Sequence, residues 1–156
     1  MSMEKIKFSA LPKIYQRLLY AAKDAMKFSY SPYSQFRVGA ALLTANNEII
    51  TGTNIENAAY GDTMCAERVA IFKAVSEGKK DFRALAVIGT SKDFITPCGS
   101  CRQVIKEFAE LFNYDIEIIM SNENMTKIVI STISHLLPVG FVGEVLQERR
   151  KRASKA

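Results

Sequence analysis

The sequence predicts an α/β protein, a three-layer α-β-α sandwich around a mixed sheet of about five strands. Three observations carry this prediction. Apolar residues recur at helical spacing near the N-terminus, two apolar runs then flank a short polar turn, and helical segments afterwards alternate with short apolar runs. This order predicts a sheet that is mixed at one edge and otherwise parallel, with helices covering both faces.

Helices and strands alternate along the chain as this fold requires. Helical periodicity predicts helices over residues 12–28, 66–76, 98–112, 133–137 and 144–152. Short apolar runs predict strands over residues 36–43, 48–51, 82–89, 115–120 and 128–130.

Local signals support the individual boundaries. The first helix ends before Pro32, which disfavours helical backbone in its predecessor. The first two strands flank Ala45-Asn46-Asn47, a plausible hairpin turn. Gly78 ends the second helix. The run over 82–89 is short and continuously apolar except for Arg83, which suits a strand buried on both faces.

Length and composition predict one domain. The 156 residues suit a single core over 1–148, followed by a basic tail over 149–156. Apolar residues make up 48% and charged residues 24%, which are ordinary values for a globular protein. No apolar run approaches the roughly 20 residues of a membrane helix. Residues 1–10 lack a secretory apolar run, and three cysteines are an odd number, so we expect a reducing, cytoplasmic location.

The net charge belongs to the C-terminal tail. Residues 149–156 contain five basic side chains and no acidic one, which accounts for the whole net charge of +5. We expect this tail to be solvated and disordered. The neutral remainder gives no indication of a nucleic-acid-binding surface.

All three cysteines lie in two motifs that suit a metal ion. Cys65 precedes a predicted helix in Cys65-Ala66-Glu67, and the next helix begins with Pro97-Cys98-Gly99-Ser100-Cys101. A Cys-x-x-Cys pair at a helix start points both sulfurs at one centre, and the positive helix end favours thiolates. Three thiolates with an open fourth position match a catalytic zinc site. His135 lies in another segment, and we expect it to be a surface or packing residue.

Each motif alone has other interpretations. Cys98 and Cys101 could form a redox pair of the thioredoxin kind, although that motif follows an N-terminal strand and needs no third thiol. The three cysteines could also hold structural zinc with an unidentified fourth ligand. The combination favours catalysis, because Cys-x-Glu followed after about 30 residues by Pro-Cys-x-x-Cys is the signature of zinc-dependent nucleobase deaminases.

The chain resembles the small homotetrameric cytidine deaminases. The matching stretches are collinear over about residues 15–145 and comprise residues 32–43, 54–58, 65–68, 73–78, 97–104 and 136–138. The resemblance implies the cytidine deaminase-like fold and one Zn²⁺ per subunit. It also implies hydrolysis of cytidine and deoxycytidine to uridine and deoxyuridine with release of ammonia, a reaction of pyrimidine salvage.

The resemblance implies one catalytic residue, three metal ligands and one residue that contacts a ligand. Cys65, Cys98 and Cys101 would hold the zinc ion, which activates a water molecule for attack at C4 of the pyrimidine. Glu67 would take the proton of that water, protonate N3 and later pass a proton to the departing amine. Arg68 would hydrogen-bond a ligand thiolate. Arg102 has no implied role and is at least as well interpreted as a helix-surface charge.

Other residues are implied to contact the substrate or a neighbouring subunit. The substrate-binding set is Phe36, Asn54, Glu56, Ala66 and Phe141. Phe36 would line the pyrimidine pocket, and Asn54 and Glu56 would bind the ribose 3′-hydroxyl group. Phe141 would reach the site of another subunit, and Tyr33 and Tyr60 would either lie at subunit contacts or be structural.

Three other functions share parts of these patterns. An aminonucleoside-antibiotic deaminase of the blasticidin type has the same zinc motifs, but residues 54–57 and 36–39 favour cytidine. A deaminase of RNA or DNA bases needs a basic channel, and the carboxylate of Glu56 would repel a 3′-phosphate. A non-catalytic zinc module that binds nucleic acid through residues 149–156 would lose its function when the tail is deleted.

Overall fold

Six strands form one mixed sheet in the computed structural model, which describes residues 3–143. The strands are β1 (Glu4–Ile6), β2 (Val38–Thr44), β3 (Ile49–Thr53), β4 (Phe82–Gly89), β5 (Glu117–Asn122) and β6 (Ile128–Thr132). The α-helices are α1 (Lys13–Met26), α2 (Ala66–Ser76), α3 (Gly99–Phe112) and α4 (Ile133–Leu136). Nine predicted elements are found with their ends within two residues of the prediction. The helix predicted over 144–152 and the basic tail lie outside the described residues.

The strand order is β1-β6-β5-β4-β2-β3, and the prediction of a largely parallel sheet is wrong. Only β4 and β5 pair in parallel, across the connection that contains α3. The pairs β2–β3 and β5–β6 are antiparallel because short turns join them as hairpins. Strand β2 also runs antiparallel to β4.

The sixth strand, β1, was not predicted. It pairs antiparallel with the sheet edge at β6, where Lys5 lies opposite Val129. Its three residues, Glu4, Lys5 and Ile6, carry no apolar alternation, so the local sequence gives no strand signal.

Helices cover both faces of the sheet, which confirms the three-layer fold class. Along β2, Ala40 and Leu42 face one core and Ala41 and Leu43 face the other, as strand alternation requires. The first core contains the buried residues of α2 and α3, and the second contains those of α1. Among residues 3–143, no helix is long and apolar enough to cross a membrane.

Helices α2 and α3 lie on the same face of the sheet and contact each other. Cys65 is the residue that caps α2 at its N-terminus, and Cys98 is the equivalent residue of α3. The fold therefore brings the start of both helices to one place, although they are separated by strand β4 in the sequence.

Candidate metal centre and nucleoside site

The three cysteine sulfurs converge where α2 and α3 begin. The Sγ atom of Cys98 lies 3.8 Å from that of Cys65 and 3.6 Å from that of Cys101. All three lie within 4.8 Å of one another. A tetrahedral zinc ion with Zn–S bonds of about 2.3 Å requires sulfurs about 3.8 Å apart. The donor set and its spacing therefore fit zinc, and Cys65, Cys98 and Cys101 are placed to hold it.

The electrostatics of the cluster favour a thiolate at Cys65. Hydrogen bonding with Cys101 lowers the pKa of Cys65, and the Arg68 guanidinium adds to this effect against partial burial. The same contact, together with burial, raises the pKa of Cys101. Two helix N-termini also direct positive partial charge at the sulfurs. Since the thiolate is the metal-binding form, the lowered pKa of Cys65 and the two helix N-termini favour binding of a cation here.

Glu67 lies in the first turn of α2, two residues after Cys65. Its side chain is only 4% exposed. Burial raises the pKa of Glu67 to about 7, since removal from water disfavours the charged form. A carboxyl group that titrates near neutral pH can both accept and donate a proton, which suits general acid–base catalysis. Ala66, between Glu67 and Cys65, is fully buried.

Arg68 contacts the ligand group directly. Its Nη2 atom lies 3.6 Å from Cys65 Sγ and 3.5 Å from the carbonyl oxygen of Thr63, to which it donates. The guanidinium therefore connects a thiolate to the loop that precedes α2, and its charge opposes the negative charge of the three sulfurs.

Asn54 is buried and fixes the loop before β2. Its Oδ1 atom accepts hydrogen bonds from Ser29 Oγ at 2.6 Å and from the Val38 amide at 2.9 Å. Its Nδ2 atom donates to the Phe36 carbonyl at 2.8 Å. The resemblance implies a contact between Asn54 and ribose, which stays a prediction. These three hydrogen bonds give Asn54 a structural role, and they use one of the two Nδ2 hydrogens.

Glu56 organises the turn that carries Tyr33 and Ser34. The carboxylate accepts hydrogen bonds from the amides of Tyr33 and Ser34, at 2.9 and 3.2 Å, and from the Ser34 hydroxyl. The hydrogen bond from the Ser34 hydroxyl group is the main reason why the pKa of Glu56 is lowered. Glu56 therefore stays ionised near neutral pH and keeps lone pairs free to accept further donors.

The aromatic residues of the predicted site lie in different parts of the structure. Phe36 is 37% exposed, and its ring packs against Gly89 at the end of β4. Tyr33 and Tyr60 pack edge to face with their ring centroids 6.0 Å apart. Phe141 is 61% exposed, and its backbone is hydrogen-bonded to the side chain of Gln103.

The comparisons with known proteins agree on one family. The family described as "Cytidine and deoxycytidylate deaminase zinc-binding region" matches residues 12–112. A cytidine deaminase of Halalkalibacterium halodurans is 46% identical over 133 residues, which are 85% of this chain and 98% of that protein. The crystal structure of cytidine deaminase from Burkholderia pseudomallei superposes with a TM-score of 0.76 at 40% identity and covers 81% of this chain and 98% of that one. The chain belongs to the cytidine and deoxycytidylate deaminase family.

Membership of this deaminase family confirms the resemblance, the enzyme class and zinc as the metal. A more distant relative is also relevant to substrate. Blasticidin-S deaminase of Bacillus cereus is 34% identical over 116 residues, covering 69% of this chain and 79% of that protein. Because its identity to this chain is lower, the cytidine deaminases are the better guide to the substrate.

Two residues of α3 in this deaminase have contacts that the sequence did not reveal. Arg102, half-buried, donates from Nε to the Pro97 carbonyl at 2.9 Å and from Nη1 to the Leu136 carbonyl at 3.2 Å. Gln103 binds the backbone of Phe141. Their sequence signal is their place in the matching stretch 97–104, one and two residues after Cys101. His135 is exposed on α4, as expected.

Proposed function

We propose that this chain hydrolyses cytidine to uridine and ammonia, and deoxycytidine to deoxyuridine and ammonia. The observation that carries the proposal is the buried carboxyl group of Glu67 beside a three-cysteine zinc site, in a chain of the deaminase family. A zinc site with three protein ligands leaves a position for water, whereas a structural site uses all four.

We propose that Glu67 is the proton shuttle of this reaction. When bound, zinc supplies Lewis acidity that makes a water molecule a nucleophile near neutral pH. Glu67 takes a proton as the water oxygen adds to C4, and donates it to N3 of the ring. It then takes the hydroxyl proton as the C4 carbonyl forms and passes it to the departing amine, so that ammonia leaves. After each uptake and release of a proton, Glu67 is again an ionised carboxylate.

We propose that the ribose and the base are bound by the loops around β2. Glu56 would accept the 3′-hydroxyl hydrogen bond, and Asn54 would donate its free Nδ2 hydrogen to the same group. Phe36 would contact the pyrimidine edge-on or by stacking. Ala66 would form the wall beside Glu67. A carboxylate at the 3′ position would repel a 3′-phosphate, so we expect no activity on RNA or DNA.

The decisive experiment measures the fall in ultraviolet absorbance as cytidine becomes uridine. We expect turnover that a strong zinc chelator removes and added zinc restores. The variant Glu67→Gln should keep zinc and bind nucleoside but lose about 10²–10⁴-fold in kcat. The matched control is Glu107→Gln, a change of an exposed glutamate on α3. Activity of Glu67→Gln within tenfold of the parent would contradict the proposed shuttle.

A deaminase of the blasticidin type is the second candidate, because that relative is recognisable in sequence. The two functions are separated by supplying cytidine and blasticidin S side by side. We expect kcat/KM to favour cytidine, because the residues that bind its ribose are present at 54 and 56. A preference for blasticidin S would reverse the assignment.

We also propose that the protein is a homotetramer with shared active sites, in which Phe141 closes the site of a neighbouring subunit. A hydrophobic wall excludes water and strengthens the electrostatic interactions inside. Phe141→Ala should weaken activity and Glu67→Ala should nearly abolish it. Refolding the two variants together should regenerate active sites from complementary chains. If mixed tetramers form but activity equals the average of the separate preparations, the sites are not shared.

The remaining proposals concern location and the tail. Three free cysteines suit a reducing compartment, so we propose a cytoplasmic enzyme of pyrimidine salvage. We propose that residues 1–148 form the catalytic domain and that residues 149–156 are dispensable for it. Deletion of the tail should leave deamination unchanged, whereas a nucleic-acid-binding module would lose its function.

A further inference from the structure

The side chain of Gln103 binds both polar backbone atoms of Phe141. Gln103 Nε2 donates to the Phe141 carbonyl oxygen at 2.8 Å, and the Phe141 amide donates to Gln103 Oε1 at 3.2 Å. These two hydrogen bonds have the pattern found between two facing residues of neighbouring antiparallel β-strands. A carboxamide suits both bonds because it carries a donor and an acceptor on one planar group, whereas an ionised carboxylate can only accept.

Further contacts hold the segment before Phe141 against the same helix. Arg102 donates to the carbonyl of Leu136 at 3.2 Å. At Gly140, an added Cβ atom would lie 3.1 Å from Lys106 Cγ and 2.9 Å from a methyl carbon of Leu137, so the backbone here packs closely on α3. Residues 136–141 are therefore attached to α3 at their start, near their end and at Phe141 itself.

The ring of Phe141 does not share this close attachment. Phe141 as a whole residue is 61% exposed, and Val139, two residues earlier, is 93% exposed. An aromatic side chain gains little from its own subunit at that exposure. A fixed backbone with an exposed ring is expected when the ring contacts another molecule. A backbone that is already ordered loses less conformational entropy when that contact forms.

We propose that Gln103 is a positioning residue, which fixes the backbone of Phe141 so that its ring closes the nucleoside site of a neighbouring subunit. This inference rests on the proposed shared active site. Gln103 lies two residues after Cys101 on α3. In this proposal, the helix that begins at the zinc ligands of its own site also positions the Phe141 ring in the site of a neighbouring subunit.

The first test measures hydrogen exchange of a peptide that covers residues 138–143, in the full-length zinc-loaded protein. Gln103→Leu, which removes both bonds, should make this peptide exchange faster. Gln103→Glu keeps the acceptor but places a carboxylate oxygen against the Phe141 carbonyl, so it should also exchange faster. The control Glu107→Gln should exchange like the parent. Unchanged exchange in both Gln103 variants would overturn the proposal.

The second test is a double-mutant cycle on cytidine turnover. Gln103→Leu should lower kcat/KM about tenfold, mainly by raising KM, because two hydrogen bonds that fix the wall are lost. In a Phe141→Ala background, Gln103→Leu should cause no further loss. Independent, multiplicative losses would overturn the proposal and leave the shared site intact. If Phe141→Ala alone has no effect, the proposed role of Phe141 fails, and the role of Gln103 fails with it.

Discussion

Gly52 holds the zinc-binding helix α2 close to the sheet, and its replacement by alanine should open the metal site. A Cβ atom at Gly52 would lie 2.4 Å from both the Ala66 carbonyl oxygen and the Ala70 nitrogen, where ordinary contacts begin at 3.4 Å. Both atoms belong to the α2 backbone, so no side chain can rotate to make room. Helix α2 must therefore move outward by about 1 Å.

This movement would carry Cys65 and Glu67 away from the two cysteines of α3. Zinc ligands tolerate errors of only about 0.2 Å, so the affinity for zinc should fall at least tenfold. The overpacking should lower the free energy of unfolding by about 1–3 kcal/mol and the melting temperature by about 3–10 °C.

Chelator competition measures the affinity for zinc, and thermal unfolding monitored by circular dichroism measures stability. The matched control is Gly61→Ala, because a Cβ atom there meets open space and the backbone is not left-handed. If Gly52→Ala binds zinc within twofold of the parent and melts within about 2 °C of it, the close approach does not position the site.

Three further predictions address separate parts of the molecule. Cys98→Ala should lose most of its zinc and melt at a lower temperature, and about one zinc per chain by elemental analysis would remove Cys98 from the ligand set. Glu56→Gln should raise KM for cytidine about tenfold with little change in kcat, since it weakens both the turn at Ser34 and the bond to ribose; an unchanged KM would contradict this role. Partial burial raises the pKa of Asp115, but hydrogen bonds from Ser134 outweigh it and leave the pKa below its ordinary value. Asp115→Asn should therefore lower the free energy of unfolding by less than about 1 kcal/mol near pH 7, after allowance for solvent screening. This difference between variant and parent should shrink as the pH falls through the lowered pKa of Asp115. Urea titrations near pH 7 and below that pKa measure it, and a difference that is the same at both would contradict this role.

The elements of the fold could be predicted because their signals are local. Helix α1 shows a clear apolar periodicity, and the run that forms β4 is continuously apolar except for Arg83. Strand pairing is different, because it depends on contacts between distant segments. Nothing in the local sequence shows that β2 lies antiparallel to β4 or that Lys5 pairs with Val129 at the sheet edge.

The same distinction applies to the site. The cysteine cluster could be predicted because two short motifs at helix starts carry the thiols, and a helix start fixes both geometry and electrostatics. The role of Glu67 was implied by the family resemblance and stays a prediction. The contacts of Asn54 with Ser29 and of Gln103 with Phe141 join segments 25 and 38 residues apart, and their partners are an ordinary hydroxyl group and a peptide group. Such partners carry no side-chain pattern that a sequence could display.

Helix α3 contacts both the metal centre and the aromatic segment 136–141, which the proposal places in two different active sites. Cys98 at its N-cap and Cys101 in its first turn supply two thiols, and Arg102 and Gln103 then bind the carbonyl of Leu136 and the backbone of Phe141. A rigid helix transmits position along its length, so the spacing between the metal and the aromatic segment is set by about one turn of backbone. Loops alone would leave this spacing free to vary. In the proposed shared site, the helix links the position of a zinc ligand to the position of the Phe141 ring, and substitutions at Gln103 should disturb that ring without removing the metal.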